Sequence, residues 1–400
     1  MPERQITVLC ISSYEKGQEF MRECHRQGCR VLLLTVEKLR EADWPRESLA
    51  DIFLMPADLP ADDILKAVNY LARNQKLDRV VALDEFDMET AAGIREHLRI
   101  PGMGLTTMRY FRDKLSMRMR AMEHNIRVPD FVPVIHHEDI RYYLENVPGP
   151  WVLKPRSEAA SIGIKLFHSA EELWPVLDGL GDKQSSYLIE RFLPGEVFHV
   201  DSVLSDSSVL FAVASKYGKP PMALAQGGGI FTSYTLPDEQ EVTARLKSHN
   251  CDLLPSLGLV RGVSHAEFIL ADADREFYFL ECAARVGGAY LSDMVEAASG
   301  INLWREWARL EVAGGDGSYR LPVVRNDQAG ILLSLARQES PDTSAYTDPE
   351  IVMRVKKPHH AGLVLRSPQY SRIQQLLDEY SRRFLNDFVA VLPPAEKATD

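Results

Sequence analysis

Residues 263–288 read V-S-H-A-E-F-I-L-A-D-A-D-R-E-F-Y-F-L-E-C-A-A-R-V-G-G. Two apolar, aromatic-rich runs flank the polar residues 272–275, and this pattern predicts a β-hairpin with a short turn. With a three-residue loop at 273–275, Glu267 faces Glu281 directly across the two strands. A four-residue loop would instead offset the two glutamates by one position.

The facing glutamates predict a cation site. Two carboxylates opposite each other destabilise a hairpin by up to ~1 kcal/mol, and a divalent cation between them would reverse this effect. Their hard oxygen ligands suit Mg²⁺. The alternative is a pair of solvated glutamates on an exposed sheet face, which the apolar neighbours Phe268, Ile269 and Phe279 disfavour.

The composition is typical of an acidic, soluble protein with more than one structural unit. The chain has 400 residues, of which 45% are hydrophobic and 26% charged, and its net charge is −11 at pH 7. This charge disfavours nucleic acid as a partner, because phosphate binding needs a basic surface. No apolar run is long enough to predict a membrane span. The five cysteines show no paired metal-ligand spacing, which indicates reduced thiols and predicts a cytoplasmic location.

The first hundred residues predict a parallel sheet. Apolar strand-like runs at 6–11, 31–34, 52–55 and 79–83 alternate with helical stretches, as in Rossmann-like α/β units. The glycine fingerprint of dinucleotide-binding proteins does not follow the first run, so a nicotinamide site is not expected.

A strand, a loop and a second strand are predicted over residues 151–167. The loop at 157–163 is rich in small residues and is bracketed by Lys154 and Lys165. Backbone N–H groups in such a loop can surround phosphate oxygens, while a lysine at the strand end pairs with their charge. A plain β-hairpin loop is an equally simple interpretation.

Four short motifs follow one another along the chain. They are D-K at 113–114, K-P-R-S-E-A-A-S-I-G-I at 154–164, I-E-R-F-L-P-G-E at 189–196 and the hairpin segment H-A-E with L-E-C-A-A-R-V-G-G. Their types, order and spacing resemble those of the ATP-grasp superfamily of carboxylate–amine and carboxylate–thiol ligases over roughly residues 1–310. Within that superfamily they look most similar to the L-amino acid (dipeptide) ligase branch.

The resemblance implies a mixed α/β and α+β fold in four parts. A Rossmann-like pre-ATP-grasp domain is expected at 1–105, followed by a two-subdomain ATP-grasp fold. Its N-terminal part with a mobile lid would occupy 106–195, and its core with the metal hairpin 196–313. A small mixed C-terminal unit, to which the resemblance assigns no role, would occupy 314–400.

The resemblance also implies a nucleotide site. Lys114 and Lys154 match the lysines that neutralise the ATP phosphates. Lys154 is also expected to be catalytic, together with His265 and Arg285. The loop at 157–163 matches the mobile lid over the γ-phosphate, with Ser157, Ser161 and Gly163 as its expected nucleotide contacts. Adenine is expected at a hinge that binds largely through main-chain groups of Glu190, Arg191, Phe192 and Leu193. Glu196 matches the carboxylate that binds the ribose hydroxyls.

Four further residues match the reacting end of such a site. Glu267 and Glu281 match the metal-bridging pair, and Arg285 matches the arginine that holds the transferred phosphoryl group or the acyl phosphate. His265 lies beside them and could contact phosphate or substrate. Ala283 stands where many relatives have an asparagine ligand, so one or two metal ions remain as alternatives.

The function implied by the resemblance is ATP-dependent joining of a carboxylate, expected to be an amino acid, to an amine. The reaction would proceed through an acyl phosphate and release ADP and phosphate. Expected cofactors are ATP and Mg²⁺, with Mn²⁺ as a substitute, and a homodimer is one assembly it allows. Two alternatives are a biotin-carboxylase-like enzyme that activates bicarbonate and a non-catalytic nucleotide-binding regulatory protein. The two substrates cannot be read from the motifs.

Overall fold

Three β-sheets organise residues 5–159 and 161–390, which are the residues that this computed structural model describes. Ala160 of the predicted lid loop and the chain ends 1–4 and 391–400 of the first and last predicted domains lie outside this set. Across the described part of the chain, no helix is long and apolar enough to cross a membrane.

The first sheet is parallel. Its strands are β1 (Thr7–Ser12), β2 (Arg30–Val36), β3 (Asp51–Met55) and β4 (Arg79–Ala82), in the order β3-β2-β1-β4. The helices that alternate with them are α1 (Gln18–Arg26), α2 (Ala61–Ala72) and α3 (Met88–Leu98). Every residue of β1 is buried, as expected for a parallel strand that is covered on both faces. The predicted parallel α/β unit is therefore confirmed.

The second sheet is antiparallel. Its strands are β5 (Phe131–Pro133), β6 (Trp151–Pro155), β7 (Lys165–Phe167) and β8 (Tyr187–Arg191), in the order β5-β8-β6-β7. Helices α6 (His137–Asn146) and α7 (Ala170–Leu180) share its apolar core. Helices α4 (Leu105–Met108) and α5 (Lys114–Glu123) precede the sheet in the chain and pack on other elements. Because β6 pairs with β7, the strand–loop–strand prediction around 157–163 is confirmed.

The third sheet has eight strands, β9 (Gly195–Ser205), β10 (Ser208–Tyr217), β11 (Phe231–Thr235), β12 (Gly262–Ala271), β13 (Phe277–Ala283), β14 (Gln328–Leu335), β15 (Ile351–Arg354) and β16 (His360–Ser367). Their order is β13-β12-β9-β10-β11-β14-β16-β15. The remaining helices are α8 (Pro221–Gly227), α9 (Glu241–Ser256), α10 (Leu291–Ser299), α11 (Leu303–Ala313) and α12 (Tyr370–Asp387). Since β14 to β16 extend the sheet that β9 begins, the sheet runs through the boundary predicted at residue 314. The domain bounds themselves stay a prediction.

Strands β12 and β13 form the predicted hairpin with a different loop. The Ala271 N–H donates to the Glu276 carbonyl at 3.0 Å, so the loop is the four-residue segment 272–275 and the three-residue prediction is wrong. A β-bulge on β13 then inserts one residue beyond this turn. It compensates for the longer loop, and Glu267 lies directly opposite Glu281 as predicted.

Gly195 lies where the end of the second sheet meets the hairpin. A Cβ added at this position would lie 2.3 Å from the backbone oxygen of Leu270, whereas a Cβ at Gly179, in α7, would meet nothing within 4 Å. We expect Gly195→Ala to lower the free energy of unfolding by about 2 kcal/mol or more, because backbone must move. Gly179→Ala should leave it unchanged or raise it by about 0.5 kcal/mol. Urea unfolding measures both, and equal effects of the two substitutions would contradict the described approach of the strands.

Candidate functional site

A cavity is lined by residues from the second sheet, the hairpin and α8. Most of the predicted site residues line it, namely Lys114, Lys154, Ser161, Glu190, Arg191, Phe192, Leu193, Glu267 and Glu281. Its apolar wall includes Val152, Ile164, Val197, Ile269 and Leu280, and α8 contributes residues 221–223. The other predicted site residues are not part of the lining, namely Ser157, Gly163, Glu196, His265 and Arg285.

The two hairpin glutamates have different partners in the cavity wall. Glu267 accepts a hydrogen bond from the Tyr217 hydroxyl at 2.7 Å, and Nζ of Lys114 lies 3.1 Å from Oε2 of Glu281. Two carboxylates that face each other on a rigid pair of strands supply the hard oxygen ligands that Mg²⁺ prefers. The residues present therefore fit a divalent cation, to which Ala283 contributes no side-chain ligand.

His265 belongs to a buried hydrogen-bonded chain beside Glu267. Its Nδ1 lies 2.9 Å from Oδ1 of Asp201, and the second Asp201 oxygen lies 2.7 Å from Nδ1 of His199. Burial alone would lower the pKa of His265, but the carboxylates of Asp201 and Glu267 raise it to about 10. A positively charged imidazolium at this position interacts favourably with both carboxylates, one positive charge facing two negative ones. Its contact with phosphate or substrate stays a prediction.

Glu190 is the centre of a buried ion-pair cluster. Its Oε1 accepts from Nε of Arg118 at 2.6 Å, and its Oε2 lies 2.5 Å from Nζ of Lys154. Burial would raise the pKa of this carboxyl, but the charges of Arg118 and Lys154 lower it to about 2. The arrangement fixes the direction of Lys154, whose ammonium group is held at the cavity wall.

The start of the lid loop is held by two basic side chains. Arg112 donates to the Ser157 carbonyl at 2.7 Å, and Nζ of Lys114 donates to the Glu158 carbonyl at 2.5 Å. Further along, Ser161 and Gly163 have φ angles of 59° and 71°, in the left-handed region. Ser161 is the one of these two that lines the cavity. The loop is thus anchored at its beginning and turns sharply above the site.

The hinge leaves one main-chain donor available. The N–H groups of Arg191 and Phe192 already donate to the carbonyls of Asp130 and Pro150, at 2.8 and 2.9 Å. The N–H of Leu193 meets no acceptor among the residues described. A ligand with a ring nitrogen acceptor can therefore bind the hinge at Leu193.

Glu196, predicted to bind ribose, lies on β9 next to the hinge. Its carboxylate forms an ion pair with Lys216, and 42% of its side chain is exposed. This exposure leaves room for a second partner of the carboxylate. Its contact with ribose stays a prediction.

Arg285 connects the hairpin with the first sheet. Its guanidinium donates to Glu85, whose other oxygen accepts from Arg112 at 2.8 Å. Burial would raise the pKa of Glu85, but the charges of Arg285 and Arg112 lower it to about 2. Burial would lower the pKa of Arg285, but the carboxylate of Glu85 raises it, with a smaller contribution from Glu281. Arg285 therefore places positive charge close to the hairpin glutamates without lining the cavity.

Sequence reasoning missed the partners of its own candidates. Arg118, Tyr217 and Glu85 contact Glu190, Glu267 and Arg285 respectively. The available signals were weak ones: acidic residues after β4, and an arginine one helical turn after the D-K motif. None of these signals specifies which long-range pair forms.

The chain is similar to two amino-acid ligases of Bacillus subtilis. It is 30% identical over 244 residues to an L-arginine-specific L-amino acid ligase, a match that covers 59% of this chain and 58% of that protein. It is 22% identical over 271 residues to an alanine–anticapsin ligase, covering 62% of this chain and 56% of that protein. The chain thus spans less than two thirds of the length of these relatives. No protein-family model matches it.

A solved structure decides the fold. The L-amino acid ligase from Bacillus licheniformis superposes with a TM-score of 0.73 at 19% identity, covering 97% of this chain and 99% of that chain. The chain has the ATP-grasp fold. In this ATP-grasp chain, the paired hairpin glutamates share one cavity with Lys114 and Lys154.

The Glu190 cluster makes the stability of this ATP-grasp chain depend on pH. The pKa of Glu190 is about 2, below its ordinary 4.5, so its stabilising effect is complete above about pH 4.5 and is lost as the pH falls towards about 2. Between about pH 5 and about pH 3, the unfolding free energy of the unsubstituted protein should fall by about 2 kcal/mol more than that of Glu190→Gln. Urea unfolding at both pH values measures this difference. Glu138→Gln, at an exposed position of α6, should behave like the unsubstituted protein. Equal pH slopes with and without Glu190 would contradict the ion-pair assignment.

Proposed function

We propose that the chain is an ATP-dependent ligase that joins the carboxylate of an amino acid to an amine. The reaction would proceed through an acyl phosphate and release ADP and phosphate. The observation that carries this proposal is the pairing of Glu267 with Glu281 in a cavity that also contains Lys114 and Lys154. The names of the two Bacillus subtilis relatives support an amino acid as the carboxylate substrate.

The cavity offers the contacts that a nucleotide needs. Apolar side chains such as Val152, Ile269 and Leu280 provide surfaces for a flat base, and the Leu193 N–H is an available donor. The ammonium groups at the cavity wall attract phosphate oxygens. Together these features support ATP as the nucleotide, with the base at the hinge and Glu196 near the ribose.

The proposed chemistry needs fixed positive charge. Transfer of a phosphoryl group from ATP to a carboxylate brings two anions together, and such a transfer relies mainly on positioning and electrostatics. Lys114 and Lys154 are held in place by carboxylates, and Arg285 adds charge from the side of the first sheet. A divalent cation held by Glu267 and Glu281 would supply further charge at the phosphates.

In this proposal the loop at 157–163 also keeps water away from the intermediate. An acyl phosphate must be kept from water until the amine attacks it. Because Arg112 and Lys114 hold the carbonyls of Ser157 and Glu158, the loop stays attached at its start while the remainder can cover the phosphates. The ammonium group of Lys114 therefore contacts both the loop and Glu281.

Product analysis tests the proposed function. Incubated with ATP, Mg²⁺ and a matrix of amino acids and amines, the protein should release ADP and phosphate with at least one pair, and mass analysis should detect the condensed product. AMP and pyrophosphate as products would contradict the acyl phosphate route. Bicarbonate-dependent ADP release without an amino acid would favour the carboxylase alternative, and ATP binding without turnover the regulatory one.

Glu281→Gln tests the role of the hairpin carboxylates in that assay. We expect it to lower turnover by about 100-fold or more while the protein stays folded, because one cation ligand is lost on a partly exposed side chain. Asp272→Asn, which changes an exposed carboxylate in the turn of the same hairpin, should keep full activity. Full activity of Glu281→Gln would refute the role given to this carboxylate.

Tyr217→Phe tests the orientation of Glu267 separately. The substitution removes the 2.7 Å hydrogen bond to Glu267 and keeps the ring packed beside His199 and Phe231. We expect the Mg²⁺ concentration for half-maximal turnover to rise by about tenfold, because outer hydrogen bonds orient metal ligands. The KM for ATP at saturating Mg²⁺ should change little. An unchanged Mg²⁺ requirement would show that Tyr217 has no part in holding this carboxylate.

A further inference from the structure

A second cavity is lined by residues of β4, α3, α11 and the segment before β12. Three arginines from separate segments line it: Arg79 on β4, Arg95 on α3 and Arg261 just before β12. We call it the arginine cavity. It has a volume of about 350 Å³. Among the residues described, it shares no lining residue with the cavity of the candidate site, which is the proposed nucleotide cavity.

Arg79 and Arg95 are held by neutral acceptors. Arg79 donates to the carbonyls of Glu311 and Asp78, at 2.6 and 2.8 Å. Arg95 donates to the carbonyls of Met103 and Val80, both at 2.8 Å. Within the described residues neither guanidinium forms an ion pair, and burial lowers the pKa of Arg95. Their positions are therefore fixed by neutral acceptors, while the carboxylates of Glu311 and Glu96 act on Arg95 from a greater distance.

Arg261 is the least satisfied of the three. Its Nη1 is buried and has no hydrogen-bond partner among the described residues. Glu311 is the one acidic residue in the lining, and its carboxylate already accepts from the Trp307 indole at 3.2 Å. The lining carries three guanidinium groups and one carboxylate, and the carboxylates of Glu96 and Asp316 lie near enough outside the lining to interact with Arg95 and Arg261.

Two glycines keep the guanidinium groups in place. A Cβ at Gly314 would lie 2.3 Å from Nη2 of Arg79, and a Cβ at Gly315 would lie 2.6 Å from Nη1 of Arg261. Both glycines also have positive φ angles, of 64° and 87°. The glycines that follow α11 therefore allow the guanidinium groups of Arg79 and Arg261 to lie close to the backbone.

The lining also contains apolar side chains, among them Met103, Met108 and Trp307. We propose that the arginine cavity binds a small organic anion, whose phosphate or carboxylate group contacts Arg261 and its two neighbouring guanidinium groups. The cavity volume lies within the range of small-molecule sites, and a carbon skeleton can pack on the apolar side chains. Because β4 and α11 both contribute to the lining, the bound anion links the first sheet to the ATP-grasp core.

Titration calorimetry on the full chain tests this site with three probes: inorganic phosphate, phenyl phosphate and phenylacetate. At least one probe should bind saturably and raise the melting temperature. Tighter binding of phenyl phosphate than of phenylacetate assigns a phosphate monoester, and the reverse order assigns a carboxylate. Arg261→Gln should weaken binding by about tenfold, and Arg261→Glu should abolish it. Both variants should fold normally, since Nη1 of Arg261 has no hydrogen-bond partner among the described residues.

Two controls separate this site from other anion sites. Arg382→Gln, at an exposed arginine on α12, and Lys154→Met, in the nucleotide cavity, should bind the probe like the unsubstituted protein. The proposal is wrong if no probe binds at about 10 mM, or if Arg261→Gln binds as tightly as the unsubstituted protein. It is equally wrong if Lys154→Met loses binding while Arg261→Gln keeps it. None of these outcomes depends on ligase activity.

Discussion

The β-bulge in β13 is the constraint on which the candidate site depends. A four-residue turn closes the hairpin, and with a regular ladder this turn would place Glu267 opposite the residue before Glu281. The inserted residue restores the pairing and turns both carboxylates to the same cavity. Bulges re-aim side chains at the cost of one irregular ladder position, and they are common next to active sites. Here the bulge brings the two glutamates face to face, as the proposed cation site requires.

The basic residues of the cavity are held by carboxylates of the chain itself. Lys114 contacts Glu281, and Lys154 contacts Glu190, so each ammonium group already has a carboxylate partner. Burying an unpaired charge would destabilise the fold by several kcal/mol, which these ion pairs avoid. The same pairs also pre-position the charges, and pre-positioned charge is what phosphoryl transfer needs. Stability and the proposed chemistry therefore use the same contacts.

The sequence predicts the parts of the structure that depend on local patterns. Apolar runs separated by helical stretches predicted the parallel sheet, and the two aromatic-rich runs around residues 272–275 predicted the hairpin. The Glu267–Glu281 pair was predicted correctly although the loop was one residue too short, because the bulge offset that error. Nothing in a local pattern indicates a bulge, since the inserted residue, Leu280, is as apolar as its neighbours.

Contacts between distant segments were not predictable in this way. Arg285 reaches Glu85, 200 residues away, and Arg118 reaches Glu190, 72 residues away. Buried charges find partners wherever the tertiary packing provides them, so an isolated arginine in the sequence does not name its carboxylate. The predicted role of Arg285 rested on the family resemblance and that of His265 on its place beside the matched residues, and the structure shows both engaged with acidic residues of other strands or turns.

Residues 281–285, at the end of the hairpin, contact both cavities and the turn after β4. Glu281 lines the proposed nucleotide cavity, Ala284 lines the arginine cavity, and Arg285 forms the ion pair with Glu85 after β4. A change in the position of β4 relative to the core would therefore act on this short segment from two sides. Glu281 also contacts Lys114, whose ammonium group holds the start of the lid loop. The segment is therefore connected to the loop through the Lys114 side chain. The first sheet is thus coupled through direct contacts to the residues proposed to bind the phosphates.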